Sequence, residues 1–144
     1  MIRLAAFWDA SALVPCCIPE LATLQARAYL RQYNPVVWWG SKVEVHSAVA
    51  RLLRLGSLDS READGALIRL EKLSVGWRHI PPDDSLRDLA CDMVTSYALR
   101  AADSLQLAAA LMWCNSRPAG RAFICGDKRL GNAARAAGFS LLEI

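Results

Sequence analysis

Five apolar residues in succession, Leu4-Ala5-Ala6-Phe7-Trp8, run straight into an acid at Asp9 and a hydroxyl at Ser11. A run this apolar has no polar face to turn to water. It predicts a strand buried on both sides, as in parallel sheets, rather than a half-exposed alternating one. Ser11-Ala12-Leu13-Val14 then reads as the start of a helix. In open α/β sheets ligand sites gather just outside the carboxyl ends of strands, so Asp9 stands where chemistry is expected. The structural alternative is a cap, because Asp and Ser both accept hydrogen bonds from the free N–H groups of a helix start.

The same pattern returns along the chain. A helix from Ser11 is bent or interrupted by Pro15 and Pro19 and resumes over Pro19 to Tyr33, where Asn34-Pro35 ends it. Val36-Val37-Trp38-Trp39 is a second buried strand. Gly40-Ser41 breaks it and opens a helix with the apolar stripe Val45, Ala48, Val49, Leu52 and Leu53, stopped by Gly56. A second amphipathic helix, Asp59 to Ser74, turns Leu67, Leu70 and Leu73 inward and packs back as an antiparallel hairpin. Gly76 to Ile80 is a weaker third strand, closed by Pro81-Pro82. Helices follow from Asp83 to about Leu99 and over AADSLQLAAALMWCNS. Arg121 to Cys125 is the fourth strand, Gly126-Asp127 leads into the helix KRLGNAARAAG, and Phe139 to Ile144 is the last strand. Strands separated by helices pair in parallel. The expectation is one domain over residues 1–144, a three-layer α/β/α sandwich with a mainly parallel five-stranded sheet.

Several classes drop out on composition. No uncharged apolar run reaches the ~18 residues that suggest a membrane span, and Asp9 interrupts the first apolar stretch too early for a signal peptide. A cytoplasmic protein without membrane contact is expected. The five cysteines are odd in number, include the adjacent pair Cys16-Cys17 and form no C-x-x-C; they read as small buried residues with reduced thiols. His46 and His79 lie far apart with no cysteine nearby and read as structural or surface residues. A net charge of +3 tolerates a nucleic-acid partner without demanding one. Of the five tryptophans, one could stack on a base, but Trp8 and Trp38-Trp39 fall in buried strands and are assigned to the core.

Four acids recur at matching joints. Asp9 and Asp127 follow buried strands, and Glu44 and Asp103 lie near the starts of helices at about the same level, so all four converge on one cleft. Such a cluster is unfavourable alone, since like charges oppose one another's ionisation. A hard divalent cation reverses this, and acids without accompanying Cys or His favour Mg²⁺ or Mn²⁺ over zinc. Each acid also has a structural alternative: Ser41-x-x-Glu44 spells a capping box, Asp127 an N-cap, and Asp103 a first-turn charge on the helix dipole. Lys128, Arg129 and Arg100 adjoin the acids and are candidate phosphate contacts, with a solvated helix face as the plain alternative.

The segments FWDASAL, WWGSKVEVHSAVARL, LRAADSLQLAAAL and FICGDKRLGNAARAAGFSLL resemble the four acidic motifs of the PIN domain, most nearly those of VapC-type toxin ribonucleases. The resemblance implies a Mg²⁺- or Mn²⁺-dependent endoribonuclease acting on RNA, a cognate antitoxin, and a homodimer. It makes Asp9, Glu44, Asp103 and Asp127 the metal-site acids and Ser11 the hydroxyl of an Asp-x-Ser motif. Gln106 stands where relatives often carry histidine, and Cys125 where threonine or serine is common. An inactive PIN-like module binding RNA or protein, and a DNA-directed nuclease, remain as alternatives. A haloacid dehalogenase-type phosphatase is disfavoured, since its second acid would fall at position 11, which is Ser.

Overall fold

The N-terminal apolar run forms the middle of the molecule. In the computed structural model, which describes residues 2–144, β1 (Leu4–Trp8) is the central strand of a five-stranded sheet. It is flanked by β2 (Tyr33–Trp38) and β4 (Ala122–Cys125), with β3 (Arg78–Ile80) outside β2 and β5 (Ser140–Glu143) outside β4. Every pairing is parallel. Side chains alternate between two cores: Ala6, Trp8, Val37 and Ile124 belong to one, Phe7, Val36, Trp38, Phe123 and Cys125 to the other. Both faces are covered, so these strands are apolar at successive rather than alternate positions.

The Trp8 core is covered by α1 (Ala10–Cys17), α2 (Thr23–Gln32), α3 (Ser41–Arg54) and α4 (Ser60–Ser74). The Phe7 core is covered by α5 (Asp84–Tyr97), α6 (Ala101–Trp113) and α7 (Lys128–Ala137). This is the expected three-layer α/β/α sandwich. The chain leaves β1 toward β2 and β3, then returns to lay β4 and β5 on the other side. Strand order therefore reverses between β1 and β4, where a parallel sheet opens a crevice at its carboxyl edge. Among the described residues, no helix is long and apolar enough to cross a membrane.

Local expectations fail where packing overrides a punctuation residue. Pro15 sits inside α1 rather than interrupting it, itself buried, so core contacts offset the lost backbone bond. The next helix starts at Thr23, not Pro19; the Thr23 hydroxyl accepts from the Glu20 N–H at 2.8 Å and donates to the Ile18 carbonyl at 3.0 Å, stabilising a turn first. That helix stops at Gln32, and Asn34 and Pro35 belong to β2. Pro35 pairs with Ala6 before β3 joins at Val36, where β2 has a neighbour on one side only, so its missing donor is tolerated. Trp39 lies just past β2 and is 57% exposed, so it is not a core residue. Cys91 is likewise exposed; the other four cysteines are buried, and all five are free.

Candidate active site

Asp9 leaves β1 with its backbone still extended, donating its N–H to the Ile124 carbonyl at 3.1 Å and so continuing the β1–β4 ladder. It occupies the N-cap position of α1, but its side chain makes no cap hydrogen bond. One carboxylate oxygen, Oδ2, instead accepts from the Ser11 hydroxyl and from the Cys125 thiol, the latter at 3.3 Å. Ser11 Oγ in turn accepts the Gly126 N–H at 2.8 Å, which ties the joint after β1 to the joint after β4. Asp9 is 4% exposed. Burial pushes its carboxyl up to about 6; Ser11 and Cys125 pull it back, while Asp103 and Asp127 add to the rise. The Cys125 thiol is itself held far in its neutral form by burial and by Asp9, so it serves as a donor.

The capping box spelled by Ser41 and Glu44 does not form. Gly40 takes the N-cap position, Ser41 is fully buried, and neither makes a side-chain cap hydrogen bond. The buried Gln106 of α6 replaces it: its Nε2 donates to Ser41 Oγ at 3.0 Å and to Glu44 Oε2. A buried amide must place its N–H groups on something, and the two side chains that could have capped α3 are the acceptors within reach. Burial pushes the Glu44 carboxyl up to about 7, with Gln106 pulling it down and Asp9 and Asp103 raising it. A capping box does occur at α4, where Asp59 accepts from the Glu62 N–H and Glu62 from the Asp59 N–H.

Asp103 lies in the first turn of α6. Partial burial and Asp127 raise its carboxyl, and Arg100 and Arg129 draw it back. Asp127 does cap α7, accepting the Leu130 N–H at 2.9 Å through Oδ1. A cap uses one oxygen and leaves the other uncommitted, so this role is compatible with a second.

The five residues singled out in the sequence thus share one neighbourhood. Asp9 interacts with Glu44, Asp103 and Asp127, Asp103 with Glu44 and Asp127, and Ser11 bonds Asp9. Their chemistry suits a hard cation: all donors are oxygens, and the repulsion among the four acids is what a divalent ion would relieve. Among the described residues, hydrogen bonds engage one oxygen each of Asp9, Glu44 and Asp127 and neither of Asp103. As they stand, no three His, Cys, Asp or Glu side chains among the described residues close around a single point. Mg²⁺ fits such a set by keeping several waters and taking only one or two carboxylates directly.

Of the basic candidates, Arg100 and Arg129 line a recess of about 180 Å³ together with Asp103 and Asp127. Lys128 borders a different recess with Cys125, Gly126 and Glu143. A larger hollow, about 820 Å³, is lined by Trp39, Lys42, Val43, His46, Ser47 and His79, none of them an acid. Gln106 had stood out in the sequence only as a departure from a motif; nothing local signals that it would hold Glu44.

No family model matches the chain, and no curated protein matches it. Solved structures do. The crystal structure of PAE2754 from Pyrobaculum aerophilum is 18% identical, with 97% of this chain and 89% of that one covered and a TM-score of 0.66. The structure of FitAB bound to an IR36 DNA fragment is 13% identical, covering 96% and 94%, with a TM-score of 0.64. FitAcB from Neisseria gonorrhoeae is 17% identical, covering 94% and 96%, with a TM-score of 0.63. Identities this low speak for the fold alone, and the fold is a PIN-like α/β/α sandwich over nearly the whole chain.

Proposed function

We propose that this chain is a Mg²⁺- or Mn²⁺-dependent endoribonuclease and the toxin of a toxin–antitoxin pair. The observation that carries the proposal is that Asp9, Glu44, Asp103 and Asp127, from four parts of the chain, lie near enough for their charges to act on one another beside the crevice where the strand order reverses. Helix capping accounts for Asp127 only; Asp9 is buried, Glu44 is half-buried, and neither caps a helix. Asp9 and Asp103 would hold the principal metal, with Asp127 and Glu44 acting directly or through water. The metal, when bound, supplies a water of lowered pKa and offsets charge on the phosphodiester under attack. Ser11 and Cys125 fix the orientation of Asp9, and Gln106 fixes Glu44, so both carboxylates are set before a substrate arrives. The motif resemblance to VapC-type toxins and the fold shared with FitAB support the toxin half of the proposal, which brings with it a cognate antitoxin, a homodimer and a cytoplasmic location.

The test uses two conservative variants. Asp127→Asn keeps an oxygen for the Leu130 N–H, and Glu44→Gln keeps one for Gln106, so both should fold. Cleavage of single-stranded RNA in Mn²⁺ should fall by about tenfold to a hundredfold or more in each, the cost of losing a metal's inner or outer-sphere partner. Near-normal cleavage by both would remove the acids from the chemistry.

A further inference from the structure

Two arginines at the acid cluster lack the partners that would account for them. Arg100 is the residue from which α6 starts, Arg129 lies in the first turn of α7, and both are exposed. With Asp103 and Asp127 they line the recess of about 180 Å³. Yet among the described residues neither comes within 4 Å of any carboxylate, although Asp103 and Asp127 line the same recess. If neutralising the acids were their whole role, direct ion pairs would be the better arrangement. Guanidiniums held beside carboxylates, but not on them, keep their planar forks free for another anion.

We infer that Arg100 and Arg129 form a two-pronged seat for one backbone phosphate of a single-stranded RNA, adjacent to the scissile one. They position the strand across the acids and take no part in breaking the bond; this rests on the ribonuclease proposal above. The recess suits one phosphodiester group, and its two arginines offset the charges of Asp103 and Asp127 that line it with them.

The experiment takes Arg100→Gln and Arg129→Gln, both at exposed positions. Binding of a labelled single-stranded RNA to the metal-free protein in EDTA is titrated at several salt concentrations. Each variant should reduce the slope of log K against log salt by about 0.7, the loss of one single-strand phosphate contact. In Mn²⁺, KM for cleavage should rise about tenfold with kcat within about twofold of wild type. Arg129→Lys should restore the slope but recover KM only in part, since an ammonium keeps the charge without the fork. Unchanged slopes, or a wild-type protein that does not bind the strand, overturn the seat. So does a fall in kcat with KM and slope unchanged, which would show that the arginines act on the acids. Altered slopes in a protein that cleaves no RNA would leave the seat standing and remove the ribonuclease proposal instead.

Discussion

At Asp9 the local environment works against the charge it carries. The side chain is buried beside Ser11 and Cys125, and its carboxyl is pushed from 3.8 up to about 6, chiefly by burial. A raised folded-state pKa means that the native protein binds more protons than the unfolded chain between those values. The stability it contributes is present below pH 3.8 and is lost as pH rises through about 6. Denaturant unfolding in EDTA should therefore show stability falling between pH 4 and 7, with Glu44 and Asp103 shifted in the same direction. Asp9→Asn should remove about 2–3 kcal/mol of that fall, at ~1.4 kcal/mol per pH unit of displacement. Identical pH profiles for the variant and the parent would show that Asp9 is ionised in the folded protein without cost. The acid itself was legible as Asp-x-Ser after an apolar run. Its cap role was equally legible and is not the one the fold uses: the side chain turns Oδ2 to Ser11 and Cys125 and makes no cap hydrogen bond.

Among the elements, α3 depends on the turn that launches it. Gly40 precedes Ser41, and a Cβ there would come within 2.6 Å of Trp38 Nε1, with two further ring atoms at 3.3 Å. The indole is buried in the core, so it has little room to yield. Gly40→Ala should cost about 1–3 kcal/mol of stability, as overpacking does, and should shift the first turn that carries Ser41 and Glu44. A thermal melt together with RNA cleavage checks this; unchanged values for both would mean that the α3 start is not braced by Trp38. Every helix and strand was legible in order, because buried strands and amphipathic helices leave different apolar periods. Ends were less legible. Asn34-Pro35 spells a stop but lies within β2, and Trp39 completes an apolar run but stands past the strand. Register against β1 and β3 decides both, and register is not a local property.

For the whole molecule, the consequence is an acidic crevice assembled from four separate parts of the chain. Removing one charge should relieve the others, so Asp103→Asn should raise the melting temperature in EDTA. Adding Mn²⁺ should raise the melting temperature of the parent, by mass action on the folded state, and do so much less in the variant. A parent that gains nothing from Mn²⁺, or a variant that melts lower in EDTA, would count against a crowded cation-binding cleft. That acids stand after strands and at helix starts was legible in the sequence. What held them was not: Gln106 reaches Glu44 across 62 residues, and Ser11 reaches Gly126 across 115.

The sequence by itself determined which segments are buried strands and which are helices, and therefore that acids stand at the joints between them. Those facts follow from whether successive side chains can avoid water, which is settled over a few residues. The tertiary structure alone decided that β1 lies between β2 and β4, that Gln106 rather than a capping box holds Glu44, and that Arg100 and Arg129 line one recess with Asp103 and Asp127. Each of these depends on which distant surfaces exclude water against each other, and no local stretch of the chain carries that information.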